Sequence, residues 1–134
     1  MKAQVALEYL MLIGIVIGAI TIISAYVWQQ NEVSTRLQQA VIAVNSITTT
    51  ANNVYAQGPG AKTTVNVFFP AGYNPSLSYI SANKTIVLKI YTPIGYNDIV
   101  GITKANVSGS LPKSDGLKVL TLETIQGYVN ISSS

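Results

Sequence analysis

The chain contains no cysteine and no histidine, and only 10% of its residues are charged, against about 25% in ordinary soluble proteins. Each shortage closes a class of chemistry. Without cysteine there is neither a disulfide nor a thiol nucleophile. Without histidine as well, imidazole bases and nearly every zinc, copper or haem site are lost. Proline is absent before Pro59, and no glycine lies between Gly18 and Gly58, so nothing in that stretch breaks a helix. Eight Lys/Arg against five Asp/Glu leave a net charge of +3 but never form a run, so a basic nucleic-acid footprint is missing and no nucleic-acid partner is expected. After Glu32 the only carboxylates are Asp98, Asp115 and Glu123, scattered without a motif. No catalytic residue, metal ligand or cofactor is therefore expected, and the chain does not read as an enzyme.

What the sequence does hold is apolar: 49% of 134 residues are hydrophobic. The 23 residues between Glu8 and Glu32 carry no Asp, Glu, Lys or Arg. Within them, residues 9–28 would make about 30 Å of helix at roughly 1.5 Å per residue, the thickness of a hydrocarbon core. Tyr26 and Trp28 stand at its far end, where amphipathic rings favour a membrane interface, and Lys2 at the near end favours a cytoplasmic N-terminus. Three fates fit such a segment: a secretory signal ending near Ala25, an uncut anchor, or a helix retained after trimming of a short leader. The run is longer than the roughly 7 to 15 residues of a secretory core, and Glu8 stands at its edge.

Beyond Trp28 the periodicity is helical. Val33, Leu37, Val41, Val44, Thr48, Ala51 and Tyr55 step by three and four, flanked by Ala40, Ile47 and Val54, so residues 29–56 read as an amphipathic helix. Gln57-Gly58-Pro59-Gly60 ends it. The period then becomes two, with Val65, Val67 and Phe69 in one run and Ile86, Leu88 and Ile90 in another. Residues 76–81 precede the second run across an Ala82-Asn83-Lys84 turn, and 99–108, 117–124 and 128–131 are further strands. The fold class expected is α+β: a long N-terminal helix, hydrophobic in its first half and amphipathic in its second, then a small antiparallel sheet or sandwich. So small a head without a disulfide needs extra cover, which the stripe over 33–55 would provide.

The residues around Glu8 are specific. Lys2-Ala3-Gln4-Val5-Ala6-Leu7-Glu8-Tyr9-Leu10-Met11-Leu12 resembles the class III signal of archaeal type IV pilin-like proteins, a family of adhesion pilins to which archaellins are related. Gln4, Glu8 and Leu12 match its pattern, and Ala6 stands where serine is usual. The resemblance implies that a prepilin peptidase cuts between Ala3 and Gln4, removing the leader and keeping the helix. It also implies a homo-oligomeric filament, an assembly ATPase and a platform membrane protein as partners, and the cytoplasmic membrane as the precursor's site. The layout is then leader 1–3, helix 4–57 with 9–28 as transmembrane and filament-core segment, Gly/Pro break 58–61 and extracellular β head 62–134. Gly14 and Gly18 form a GxxxG strip for close helix approach, and a freed Gln4 amine could neutralise Glu8 of a neighbour. Asn83, Asn106 and Asn130 each begin an N-x-Ser/Thr sequon, as a glycosylated external head would. The alternative is a membrane-anchored extracellular β-domain that binds a ligand without polymerising.

Overall fold

The structure is a computed structural model describing residues 1–134. It opens with a single helix, α1 (Lys2–Gln57), 56 residues long, and the expected α+β organisation follows. By contacts the chain divides inside α1, into Met1–Val33 and Ser34–Ser134. The second unit holds the C-terminal part of α1 and seven strands: β1 (Lys62–Phe69), β2 (Tyr79–Ser81), β3 (Thr85–Thr92), β4 (Gly95–Ile102), β5 (Asn106–Gly109), β6 (Gly116–Ile125) and β7 (Tyr128–Ser133).

Gly58 stops α1 because its φ of 93° suits a residue without a Cβ just past a helix end. The 58–61 break is then tied to β6: Gly60 N–H donates to Thr124 O (2.9 Å) and Thr124 N–H to Ala61 O (2.8 Å). The strands form two sheets, one ordered β1-β6-β7-β5 and the other β2-β3-β4. All pairings are antiparallel except β5 with β7, which is parallel and departs from the all-antiparallel expectation. The β6–β7 hairpin places β7 between β6 and β5, so β7 runs back alongside β5; alternation sets the face a strand buries and is silent on its neighbour.

The strand over 99–108 is two strands. The chain leaves one sheet at Ile102 and joins the other at Asn106. At the corner, buried Thr103 donates its hydroxyl to Ala105 O (2.6 Å) and its N–H to Lys84 O (2.9 Å). Of 76–81 only Tyr79–Ser81 is strand, because the Asn74 carboxamide accepts the N–H groups of Ser76 (3.0 Å) and Leu77 (3.3 Å) and holds a turn there. The first half of β4 carries no strand signal, since Gly95-Tyr96-Asn97-Asp98 has no apolar alternation; its register comes from β3, with Lys89 opposite Asp98 in a 2.7 Å ion pair.

One core joins a face of α1 to the inner faces of both sheets. From the helix come Ala40, Ala43, Val44, Ile47, Ala51 and Val54, and from the strands Val67, Phe69, Ile86, Leu88, Ile90, Val107, Leu120, Leu122, Val129 and Ile131. Fully burying each larger aliphatic contributes about 1.5 to 3 kcal/mol. The helical face is rotated from the expected stripe: Val41 remains 42% exposed and Tyr55 40%, whereas Ala43, which the stripe omits, is buried. The face turned to the strands takes Val44, Ile47 and Val54 together with Ala40, Ala43 and Ala51, which leaves Val41 and Tyr55 on its flanks.

Gly101 in β4 marks the tightest point, where an added Cβ would overlap Val44 Cγ1 and lie 2.6 Å from Thr48 Oγ1. Further along, Lys104 N–H donates to Asn52 Oδ1 (2.8 Å). On the other flank, grooves lined by Ile42 and Ser46 also take Val65, Val67 and Phe68 of β1. Each sheet thus turns one edge strand, β4 or β1, toward the helix. The other edges, β2 and β5, meet without ladder hydrogen bonds.

Two outcomes follow for the head. Gly101→Ala, read by denaturant unfolding, should lower stability by about 1 to 3 kcal/mol, the usual cost of overpacking. Tyr73 donates its hydroxyl to Pro112 O (2.9 Å) and packs on Phe69 with ring centroids 4.8 Å apart. Burial raises its phenol to about 12, with the Ser78 hydroxyl opposing. Because this lies above the free value of 10, the neutral phenol's contribution is complete below pH 10 and is lost as pH climbs toward 12. The stability difference between wild type and Tyr73→Phe should therefore shrink across that window.

Candidate membrane and assembly segment

Residues 1–32 of the chain are all exposed, and their apolar window is long enough to cross a membrane by length and composition, with none of it buried. Leu10, Met11, Leu12, Ile15, Ile17, Ile20, Ile22 and Ile23 each leave more than half of their surface uncovered. In water such a surface is strongly unfavourable, at about 25 cal/mol per Å² of apolar area. Two side chains of the segment bond within the helix. Thr21 donates its hydroxyl to Ile17 O (2.8 Å), and Gln30 Nε2 donates to the Tyr26 hydroxyl (3.0 Å) at the end where Trp28 stands. Backbone polarity is closed within the segment, as a hydrocarbon setting demands.

Gln4, Glu8 and Leu12 follow at four-residue steps, so they share one side of the helix. Ala3 and Gln4 lie in the first helical turn, where Val5 N–H reaches Met1 O at 3.3 Å. The first N–H groups of a helix have no intrahelical partner, so this turn is held by fewer hydrogen bonds than the interior of α1. Gly14 and Gly18 have no heavy atom within 4 Å of a notional Cβ. With Thr21 and Ala25 they continue at steps of four, three and four, a strip of small residues along one line of the helix.

The head's polar residues are dispersed. Asp98 is engaged with Lys89 in the β3–β4 ladder, Asp115 lies in the loop before β6, and Glu123 lies in β6 opposite Lys62 of β1. Nowhere do three His, Cys, Asp or Glu gather in a metal-holding group. Of the sequon asparagines, Asn83 is exposed in the β2–β3 turn, Asn106 is exposed at the start of β5, and Asn130 is half-buried in the middle of β7.

Sequence reasoning missed one surface. The outer face of the three-stranded sheet exposes Tyr79, Tyr91, Tyr96, Val100 and Ile102 around the Lys89–Asp98 pair, with the Tyr91 and Tyr96 rings edge to face at 5.3 Å. Only the register of β4 unites them. Compared with known proteins, the chain matches no family model, no curated protein and no solved structure.

Proposed function

We propose that this protein is the structural subunit of an archaeal type IV pilus-like surface filament, inserted in the cytoplasmic membrane, trimmed by a prepilin peptidase between Ala3 and Gln4, and polymerised through its N-terminal helix. One observation carries the reading: a wholly uncovered apolar segment in the first part of α1, whose leading end carries Gln4, Glu8 and Leu12. That segment needs an apolar surrounding. Lipid supplies one before assembly, and the same segments of neighbouring copies supply another afterwards.

Transfer from lipid into a bundle changes one apolar solvent for another, so packing decides the outcome. The Gly14 to Ala25 strip lets a neighbour's backbone approach closely, and dispersion contacts then replace those with acyl chains. A freed Gln4 amine paired with Glu8 of a neighbour sets axial register. Extraction and polymerisation draw their energy from the assembly ATPase and platform protein. The head, with few charges and many Thr, Asn and Tyr groups, repels its copies little and faces foreign surfaces, which suits adhesion. The chain supplies structure and no catalysis.

The test is the mature N-terminus. Mass spectrometry of the chain from sheared filaments should give a first residue of Gln4; a start at Met1, or recovery only as single molecules in the membrane, overturns the proposal. Gly14→Leu with Gly18→Leu should leave insertion and trimming intact while cutting filament yield sharply, counted by electron microscopy against the membrane-bound pool. A Glu8→Gln chain that is trimmed and polymerises normally would remove the register pairing alone.

A further inference from the structure

The fold treats the three sequons unequally. Asn130 lies in β7, which is hydrogen-bonded on both sides: it is opposite Ser108 of β5 and opposite Glu123 of β6. To reach an enzyme, that segment would have to leave both ladders. Asn106 begins β5, a four-residue edge strand paired only with β7, and Ser108 is exposed on the same face. Asn83 lies in the β2–β3 turn, where Lys84 has a φ of 67° and the Thr85 hydroxyl donates to Asn83 O at 3.2 Å.

The two open acceptors share one side of the head. Thr103 N–H donates to Lys84 O at 2.9 Å, which holds the turn beside the chain entering β5. Ala82, Asn106, Val107, Ser108 and Tyr128 line a hollow of about 270 Å³ there. The hollow opens where β2 and β5, the edges away from the helix, come together unpaired. An unpaired edge invites strand addition from other chains, and an attached sugar would cover it. Tyr128 supplies a ring wall for the C–H face of a pyranose, and the Asn and Ser groups supply a polar rim.

We infer that Asn83 and Asn106 carry N-linked glycans added to the folded head, and that Asn130 carries none; this rests on the head being exported, as the filament reading requires. In the transfer, the side-chain Nδ2 bonds to C1 of an oligosaccharide held on a polyprenyl phosphate carrier. The C1–O bond to the phosphate breaks, the phosphate departs with the electron pair, and the displaced amide proton passes to a base of the transferase.

Glycopeptide mass spectrometry of the chain from its native cell surface, with the N-terminal peptide read in the same run, tests this. The expected result is whole-sugar mass increments at Asn83 and Asn106 and an unmodified Asn130. Asn83→Gln and Ser108→Ala should each remove one increment, and Ser132→Ala none. An empty Asn83 or Asn106 in chains beginning at Gln4 overturns the assignment and leaves the filament reading standing. A glycan at Asn130 overturns selection by the fold, and empty sequons on chains that still begin at Met1 overturn both.

Discussion

The apolar surface of a single uninterrupted helix must find apolar cover, and the protein supplies that cover for less than half of the helix's length. From Ala40 to Val54 the helix is buried by strands of its own chain. Through residue 32 it is buried by nothing. No polar face is available to relieve that exposure, because the uncharged run is apolar all round. The rest of the architecture answers this division: one stretch commits to a head and the other requires a surrounding from outside the chain.

Within the head, the helix compensates for the small size of the sheets. Seventy-odd residues of strand and loop without a disulfide make a marginal core, and the helix adds Val44, Ile47 and Val54 to it as fully buried side chains. Close approach has a stereochemical condition. The missing Cβ at Gly101 lets the backbone of β4 lie directly on the Val44 and Thr48 side chains of the helix. Two edge strands thereby gain a neighbour they could not obtain from the sheets. The opposite seam, between β2 and β5, has no such element, and there the sequons at Asn83 and Asn106 open.

Much of this is legible in the amino-acid sequence alone. The helix, its end at Gly58 and the alternation of β1, β3, β6 and β7 follow from local chemistry: missing breakers, a left-handed glycine followed by proline, and a period of two. So does the candidate assembly segment, because a run without charge needs no partner to declare itself. The first half of β4 is illegible, since Tyr96 and Asp98 owe their strand geometry to Tyr91 and Lys89 opposite. The buried face of the helix lies about one position away from the one that hydrophobicity selects. Hydrophobicity ranks Val41 above Ala43, and only the approach of the strands reverses that order.

The sequence by itself determined what each residue needs: apolar surroundings for 9–28, a helix through 57, and alternating faces beyond. Those needs are local, set by side-chain polarity and backbone freedom. The tertiary structure alone decided who meets whom: the parallel β5–β7 pair, the corner at Thr103, the contact of Gly101 with Val44, and which sequons stay open. Such choices are made between residues far apart in the chain, where the geometry of packing, and not the character of either residue, selects the partner.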